Sequence, residues 1–393
     1  MILRGRLLID ARSEPRLGWV RIDGDRIAEL GDGPPPERAD AGGDACLICP
    51  GFYDAHVHLP QFESIGCESD DLIGWLQRVI YPAETRWSQP AFATRALGES
   101  LDRLVTAGTV GFAGYLTSHP HAIAAMQAGH ARRPLRAIVG QSRMDRRGPD
   151  DLIRQPVAVR PAPQPRLAFS VNPRFAVSCS PELLQQCGDE ATSDAIIQTH
   201  IAEQVSECEL IRSLFPAHPH YAAVYDAFDL LTPRTLLAHA VHLSSEEWSL
   251  VAERGCVVVH CPTANTFLRS GLFDLHAARD HAVPLALGSD VAAGPDVAMP
   301  RVARAMIEVA KVRAMTGHAT TPVPTPAEAW TMITLGNAEH LGFAGGGRLA
   351  EDASADLLVL RLPFEIDEDL IGRLLYTWRD DYIERRVLAG KLQ

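Results

Sequence analysis

The sequence predicts an α/β protein whose main domain is a closed (β/α)8 TIM-like barrel. The first observation is a series of about eight short apolar strand candidates in the middle of the chain. The second is that helix-length segments separate most of them, as parallel strands joined by crossover helices require. The third is that polar residues stand at the ends of several strands, where barrels of this kind place their active sites. With 393 residues, the chain is long enough for one barrel and a smaller domain.

The two ends of the chain predict one small β domain. The first thirty residues alternate in the runs MILRGRLLI and GWVRIDGDRIAELG, and an Asp-Gly pair inside the second run marks a hairpin turn. Near the other end, DASADLLVL and ERRVLAGKLQ also have the pattern of strands. We therefore expect a small β-sandwich domain composed of residues 1–49 and 346–393, with the barrel over residues 50–345 inserted between them.

The barrel strands follow one another in a regular order. The run ACLICPGFY, a buried strand that includes a Pro-Gly turn, leads to the first polar cluster. Seven further candidates are TVGFAGY, PLRAIVGQ, RLAFSVNP, AIIQTHI, RTLLAHA, GCVVVHC and VPLALGS. Helices are expected over segments such as PAFATRALGESLDRLVTAG, where Gly108 is a suitable C-terminal cap, SSEEWSLVAERG and LFDLHAARDH. One crossover, DDLIRQPVAVRPAPQPR, contains too many prolines for a regular helix, so we expect a short helix or none there.

The composition argues against several classes of partner. The formal net charge is −12 and no block of lysine and arginine occurs, so nucleic acid and anionic membranes are poor partners. No apolar run approaches the length of a membrane span, and the N-terminus does not resemble a signal peptide. The eight cysteines are scattered from Cys46 to Cys261, which is typical of reduced, buried thiols. We expect a cytoplasmic protein.

Two histidines, His56 and His58, lie one residue apart in the segment DAHVHLPQ. In extended backbone, side chains at positions i and i+2 point to the same face, so both imidazoles converge on one point. Such a pair is the start of a metal chelate. The alternative is two surface or hydrogen-bonded histidines, and the remaining strand ends have to decide between these interpretations.

Further strand ends supply more residues of the same kind. The candidates AIIQTH, RTLLAH, CVVVH and PLALGSD end in His200, His239, His260 and Asp290, respectively. Imidazoles with one carboxylate suit a borderline divalent cation such as zinc, and buried polar groups of this kind need a partner that a metal provides. We expect one zinc ion bound by His56, His58, His200 and Asp290.

The site is expected to hold a single metal ion. Barrels that hold two metals often bridge them with a carboxylated lysine at a strand end. The only lysines are Lys311, in a late helix, and Lys391, near the end of the chain, and neither can form that bridge.

Glu203 follows His200 by three residues in THIAEQ, which places its carboxylate beside the predicted metal without ligating it. That position suits a proton shuttle. The alternative is an acidic residue that merely favours the N-terminus of a helix.

The chain resembles the amidohydrolase superfamily and, within it, the metal-dependent guanine deaminases, over nearly its whole length. The segments that match in order are PGFYDAHVHLPQ, VIYPAETRW, GQSRMDRRGPDDL, VNPRFAVSCS, QTHIAEQ, LLAHAVHLSSEE, HCPTANTFLRSGLF and LGSDVAAG. HxH, His-x-x-Glu and GSD are features of the superfamily, whereas PAE, MDR and PRF are narrower and point to guanine. Two stretches depart from the family: the shortened segment around residues 150–166 and GSDVAAG, which replaces a glycine-richer stretch.

The resemblance implies a role for each matching residue. His56, His58, His200 and Asp290 match the zinc ligands, with iron used by some relatives. Glu203 matches the proton-transferring glutamate, and His239 matches the histidine that polarises the hydroxide. The residues that match those holding the purine are Gln61, Arg174 and Phe175. For Arg174 the alternative is a helix cap or a surface ion pair, and for Phe175 it is core packing. A homodimer is also implied.

The activity expected from this resemblance is hydrolytic deamination of guanine to xanthine and ammonia. The catalytic set is Glu203, His239 and Asp290, with Asp290 taking the proton of the attacking water. A deaminase or chlorohydrolase of the same superfamily acting on 8-oxoguanine, a pterin or an s-triazine would use the same metal site. A non-catalytic binding protein would lack some of these ligands, and a lyase or isomerase would need a further base. For His260 we expect a supporting role behind the ligands.

Overall fold

The computed structural model describes residues 1–69, 71–154, 158–159, 164–191, 194–318 and 322–393. The strands in chain order are β1 (Ile2–Leu7), β2 (Arg16–Asp23), β3 (Arg26–Asp32), β4 (Ala41–Pro50), β5 (Phe52–His58), β6 (Thr109–Leu116), β7 (Arg136–Arg143), β8 (Leu167–Pro173), β9 (Ile196–Ile201), β10 (Thr235–His239), β11 (Val257–His260), β12 (Leu285–Leu287), β13 (Leu357–Arg361), β14 (Ile383–Leu388) and β15 (Lys391–Leu392).

Helices occupy most connections between the barrel strands and much of the chain that follows β12. They are α1 (Leu72–Trp75), α2 (Tyr81–Thr85), α3 (Pro90–Thr106), α4 (His121–His130), α5 (Asp150–Ile153), α6 (Pro181–Glu190), α7 (Val205–Leu214), α8 (Tyr221–Asp226), α9 (Ser245–Glu253), α10 (Pro262–Phe267), α11 (Leu275–Asp280), α12 (Met299–Met315), α13 (Pro326–Thr331), α14 (Asn337–His340) and α15 (Leu370–Thr377). Turns of π-helix span Leu76–Ile80 and Met332–Gly336, and short 3-10 turns span Leu59–Ser64, Arg86–Ser88, Ala176–Ser178 and Asp380–Tyr382. Within the described ranges, no helix combines the length and the apolar character that a membrane crossing requires.

The eight strands β5 to β12 form the predicted barrel. Each pairs in parallel with its neighbour in chain order. Two backbone hydrogen bonds join the first strand to the residues that follow the last one: Asp290 N donates to His56 O at 2.8 Å, and His58 N donates to Val291 O at 3.1 Å. The barrel therefore closes at its carboxyl end, beside the predicted metal ligands.

The strands near the two chain ends form one mixed sheet of seven strands. Its order is β15-β14-β13-β4-β1-β2-β3, in which β4 pairs in parallel with β1 and antiparallel with β13. The predicted Asp-Gly hairpin joins β2 and β3, and Gly24 adopts the positive φ of 56° that this turn requires. The terminal sheet is confirmed, and the domain boundaries at residues 49 and 346 stay a prediction.

Two contacts attach this sheet to the barrel. Phe52, at the start of β5, packs edge-on against Trp330 of α13 and Trp378 after α15, with centroid distances of 5.3 and 5.2 Å, in an apolar cluster that also includes Leu47 of β4 and Leu358 of β13. The buried carboxylate of Asp356 accepts hydrogen bonds from Arg136 on β7 and from Arg166 before β8. Apolar packing and a buried ion-pair network thus fix the sheet to the outer end of the barrel.

The structure corrects the first predicted barrel strand. The run ACLICPGFY is divided between two strands: β4 ends at Pro50 within the terminal sheet, and β5 begins at Phe52 within the barrel. His56 and His58 therefore lie at the carboxyl end of β5, as predicted, but this strand is separate from the one that contains ACLICP. The apolar run gave no sign of the division, because Cys46–Pro50 of β4 and the whole of β5 are buried.

The proline-rich crossover between β7 and β8 contains only the four-residue helix α5 within the described residues. Residues 155–157 and 160–163 of this segment lie outside them. Helix α3 ends as expected, since Gly108 follows it with φ 89°.

Candidate active site

The carboxyl ends of three barrel strands bring the predicted metal ligands together. His56 and His58 lie on β5, His200 lies on β9, and Asp290 follows β12 by three residues. His239 ends β10 and joins the same group. All five are packed in the closed end of the barrel, and the side chains of His56, His58, His239 and Asp290 are at most 6% exposed.

The distances between the ligand atoms are short. Oδ1 of Asp290 lies 3.3 Å from Nε2 of His56 and 3.4 Å from Nε2 of His58. Nε2 of His58 lies 3.1 Å from Nε2 of His200. The donor atoms of His56, His200, His239 and Asp290 all lie within 4.8 Å of one another. A close group of imidazole nitrogens with one carboxylate is a donor set that suits a divalent metal ion.

The protonation of the histidines also fits a metal. Nδ1 of His200 donates to the carbonyl oxygen of Arg174 at 2.6 Å, which leaves the lone pair of Nε2 facing the cluster. Nε2 of His56 is buried and makes no hydrogen bond with any described residue. Burial lowers the pKa values of His56, His58 and His200 well below the ordinary value, so these imidazoles are neutral and can act as ligands.

Asp54 supports the cluster from behind. Its carboxylate accepts hydrogen bonds from the backbone N–H groups of His56 (3.1 Å) and Ser289 (2.9 Å), and also from the Ser289 hydroxyl. Because Ser289 precedes Asp290, one side chain fixes the backbone beside predicted ligands from the first and last strands of the barrel. Burial raises the pKa of Asp54 to about 7.

Two residues of the cluster have backbone conformations that are costly for their residue types. His239 has φ 75° and Asp290 has φ 49°, in the left-handed region that favours glycine. Such conformations persist only where the surrounding structure holds them, and they concentrate at functional sites. Here they direct both side chains into the barrel mouth.

Glu203 lies beside the cluster, in the loop between β9 and α7. Its Oε2 atom is 3.5 Å from Nε2 of His239, and its Oε1 atom accepts a hydrogen bond from the Ser270 hydroxyl at 3.0 Å. The carboxylate of Glu207 holds the Glu203 backbone by accepting from its N–H at 2.8 Å. Burial, with a contribution from Asp290, raises the pKa of Glu203 to about 8. The side chain can therefore hold a proton near neutral pH.

His239 is fixed by a neighbour that the sequence did not single out. Its Nδ1 atom donates to Oδ1 of Asn265 at 2.8 Å, and its Nε2 atom lies 3.7 Å from Oδ2 of Asp290. The hydrogen bond to Asn265 fixes the ring orientation and keeps Nε2 directed at the two carboxylates.

Two polar residues, Arg174 and Gln61, form the opposite wall of the same pocket. Nη1 of Arg174 donates to Oε2 of Glu84 at 2.6 Å and reaches the Ser142 hydroxyl at 3.4 Å. Nε2 of Gln61 donates to Oε1 of Glu84 at 2.9 Å, while Oε1 of Gln61 accepts from Ala292 N at 3.3 Å. Arg174 is buried and paired, so the alternative of a surface ion pair does not apply.

Apolar side chains line much of the rest of the pocket, whose cavity volume is about 30 Å³. Its lining residues are His58, Gln61, Leu72, Trp75, Leu76, Arg174, Phe175, His200, Glu203, His239, Leu268, Asp290 and Ala293. Ala293 belongs to the departing stretch GSDVAAG and lines this pocket directly. The pocket thus has a polar end with the histidines and carboxylates, a second polar wall with Arg174, and an apolar cover.

His260 lies outside the ligand group. Its ring stacks on Phe273 with a centroid distance of 4.3 Å, and its backbone carbonyl accepts from Gly288 N at 3.0 Å. Burial lowers the pKa of His260 to about 3. It borders the site without supplying an atom to the cluster.

Several residues that shape the site had no role predicted from the sequence. Glu84 was present in the PAE segment without a role, and Asn265 was present in HCPTANTF. Ser270, Glu207 and Asp54 were also not singled out. Only Asp54 had a usable signal, a carboxylate within an apolar segment with no lysine or arginine nearby in sequence.

Known proteins resemble this chain over nearly its full length. Residues 47–392 match the model of the amidohydrolase family. The guanine deaminase of Dictyostelium discoideum is 32% identical over 368 residues, which cover 88% of this chain and 82% of that protein. That of Escherichia coli (strain K12) is 32% identical over 369 residues with the same coverage. The solved structure of E. coli guanine deaminase superimposes with a TM-score of 0.87 at 26% identity, covering 100% of this chain and 98% of that one. The chain belongs to the amidohydrolase family.

Proposed function

We propose that this protein is a metal-dependent aminohydrolase that converts guanine and water to xanthine and ammonia. The observation that supports this most directly is that one pocket combines the His/Asp cluster, the Glu203–His239 pair and the buried guanidinium of Arg174. The relatives that are 32% identical over 88% of the chain are guanine deaminases.

We assign His56, His58, His200 and Asp290 as the residues that would hold a single zinc ion, with iron as the alternative. Their neutral imidazoles, the unpartnered Nε2 of His56 and the shared approach to Oδ1 of Asp290 fit such an ion. Zinc supplies an activated water at neutral pH, because it lowers the pKa of the water it binds to about 7.

The proton-transfer roles belong to Glu203 and Asp290. Asp290 accepts the proton of the attacking water as its oxygen adds to C2 of the purine. Glu203 delivers its proton to the adjacent ring nitrogen, takes up the proton of the added hydroxyl as C2 becomes a carbonyl, and passes it to the departing amine, so that ammonia leaves as a neutral molecule. The proton held by Asp290 then restores Glu203. His239 lies between the two carboxylates and stabilises the negative charge that develops on the attacking oxygen.

Arg174, Gln61 and Phe175 hold the purine. Nη1 of Arg174 serves Glu84 and Ser142, so the N–H groups of Nε and Nη2 are available to a carbonyl oxygen at C6. An amino group at C6 would leave those donors unsatisfied, which disfavours 6-amino purines. Phe175 provides an apolar wall, and Leu72, Trp75 and Leu76 line the pocket and exclude water from it.

The test is ammonia release together with xanthine formation, followed by ultraviolet absorbance. Zinc-loaded protein is offered guanine, adenine, 8-oxoguanine, a pterin and melamine in parallel. We expect guanine turnover far above that of the others. Preferred turnover of another compound would retain the metal chemistry and overturn the role of Arg174, whereas no turnover with metal bound would overturn the proposal.

The cytoplasmic location and the homodimer expected from the sequence remain predictions. Size-exclusion chromatography with light scattering of the zinc-loaded protein measures the second of these directly.

A further inference from the structure

Glu84 connects two residues that line the proposed substrate pocket, Arg174 and Gln61. Glu84 itself does not line the pocket. It lies on α2, and its carboxylate is 2% exposed behind Arg174 and Gln61. Oε2 accepts from Nη1 of Arg174 at 2.6 Å, and Oε1 accepts from Nε2 of Gln61 at 2.9 Å. Each oxygen thus holds a different pocket residue.

The directions of these hydrogen bonds leave little freedom. The N–H of Ala292 donates to Oε1 of Gln61, so the Gln61 amide group must turn its NH2 toward Glu84. Arg174 can only donate. The group at position 84 must therefore accept two hydrogen bonds on two separate atoms, which a carboxylate does and a carboxamide in one orientation does not.

The charge of Glu84 is as specific as its geometry. Arg174 is 3% exposed, and the salt bridge to Glu84 is the one that the described residues provide for it. A buried guanidinium requires a partner charge, since its desolvation is otherwise uncompensated. The ring of Tyr81, whose centroid lies 5.3 Å from Cζ of Arg174, covers its face.

We propose that Glu84 is a positioning residue that sets the preference for a 6-oxo purine, by fixing the donors of Arg174 and the amide orientation of Gln61. This inference rests on the proposed guanine deaminase function. Glu84 does not touch the substrate: it acts through the two residues that do. With both fixed, the remaining N–H groups of Arg174 meet a carbonyl oxygen without reorganisation.

The test compares Glu84→Gln with wild-type protein, both zinc-loaded, on guanine and on 2,6-diaminopurine, which carries an amino group at C6. In the variant one donor faces an NH2 group, so either Arg174 or Gln61 loses its orientation. We expect KM for guanine to rise more than kcat falls. The ratio of kcat/KM for guanine to that for 2,6-diaminopurine should fall at least about tenfold. Zinc content should remain at the wild-type level.

The matched control is Asp356→Asn. Asp356 is also 2% exposed and also accepts from two side chains, those of Arg136 and Arg166, but it lies at the junction with the terminal sheet. This variant should lose stability and keep the wild-type ratio of the two substrates. A general effect of removing a buried carboxylate would change both variants alike and would overturn the specific role of Glu84.

If Glu84→Gln does not fold, Glu84→Asp tests the same inference. The shorter carboxylate keeps two acceptors and the charge but draws back from both partners. We expect a smaller fall in the substrate ratio in the same direction, whereas an unchanged ratio in a folded Glu84 variant overturns the inference. Absence of guanine turnover in the wild-type protein would instead overturn the proposed function, and this inference with it.

Discussion

Nε2 of His239 lies 3.5 Å from the carboxylate of Glu203, and the hydrogen bond from Nδ1 to Asn265 holds the ring in that orientation. The same nitrogen is 3.7 Å from Asp290. One imidazole thus lies between the residue proposed to deliver protons and the residue proposed to accept one. Substitutions at Glu203 and at Asn265, which orients His239, should therefore have different effects on turnover.

Replacing Glu203 with glutamine should abolish most turnover and preserve zinc content. The variant keeps the size of the side chain and its contact with Ser270, but it cannot exchange a proton. We expect kcat to fall by about 10² to 10⁴-fold, as for loss of a general acid–base group. Steady-state kinetics and metal analysis of the same preparation measure both quantities.

Glu247→Gln is the control for that variant. Glu247 is a buried carboxylate that caps α9 by accepting from Ser244 N at 2.9 Å and also accepts from Ala222 N at 3.1 Å. It should alter stability alone. A fully active Glu203→Gln protein would remove Glu203 from the mechanism.

Replacing Asn265 with alanine should lower kcat with little change in KM. The substitution removes the acceptor of the His239 Nδ1 proton, so the ring can rotate or adopt the other tautomer. We expect a loss of at least about tenfold. Asn265→Asp, which retains an acceptor, should recover part of the rate. Equal rates for the alanine variant and the wild type would show that the hydrogen bond does not orient His239.

Removing the metal should abolish activity and lower the melting temperature, and zinc should restore both. Zinc at about one hundred times its dissociation constant would stabilise the fold by about 2.7 kcal/mol. Differential scanning calorimetry with and without zinc measures this shift. His56→Ala lacks one proposed ligand and should show a much smaller shift. If neither zinc nor a chelator changed the melting temperature of the wild-type protein, the assignment of the cluster as a metal site would be contradicted.

His130 should make stability depend on pH, independently of the active site. It is buried at the end of α4, where Nε2 donates to the carbonyl of Leu135 at 2.8 Å, and burial lowers its pKa below the ordinary value of 6.5. The unfolded chain then binds the proton more readily than the folded one. The His130 contribution is therefore complete above 6.5 and is lost as the pH falls toward its folded-state pKa.

The measurement is the free energy of unfolding in urea at several pH values below about 7. His130→Gln can keep a donor toward Leu135 and has no titratable group, so its curve should be flatter. Parallel curves for the two proteins would show that His130 does not contribute to the pH dependence.

The sequence was sufficient for the barrel because its periodicity is local. Alternating strands and helices, the HxH pair on one face of β5 and Asp290 after β12 are all visible within short windows. The assignment of ACLICPGFY to a single strand failed for the same reason. Nothing inside that window distinguishes a strand of the terminal sheet from a strand of the barrel.

The supporting residues of the site could not be predicted, because their partners are distant in sequence. Glu84 and Arg174 are 90 positions apart, and His239 and Asn265 are 26 apart. Each is an ordinary polar residue until folding places it beside its partner. The π-helical turn at Leu76–Ile80, which helps to cover the pocket, likewise has no sequence pattern of its own.

The hydrogen bonds that close the barrel determine when the site can form. Asp54 and Ser289 are separated by 235 positions, and His56 meets Asp290 at the same closure. Contacts of such long range form late in folding, because the entropy of closing the intervening chain must first be overcome. During synthesis, a ribosome must deliver the chain beyond residue 290 before the ligand set is complete. If the proposed metal site is correct, tight metal binding would therefore report a finished barrel, and nascent chains that stop short of this closure would expose His56 and His58 without their carboxylate partner.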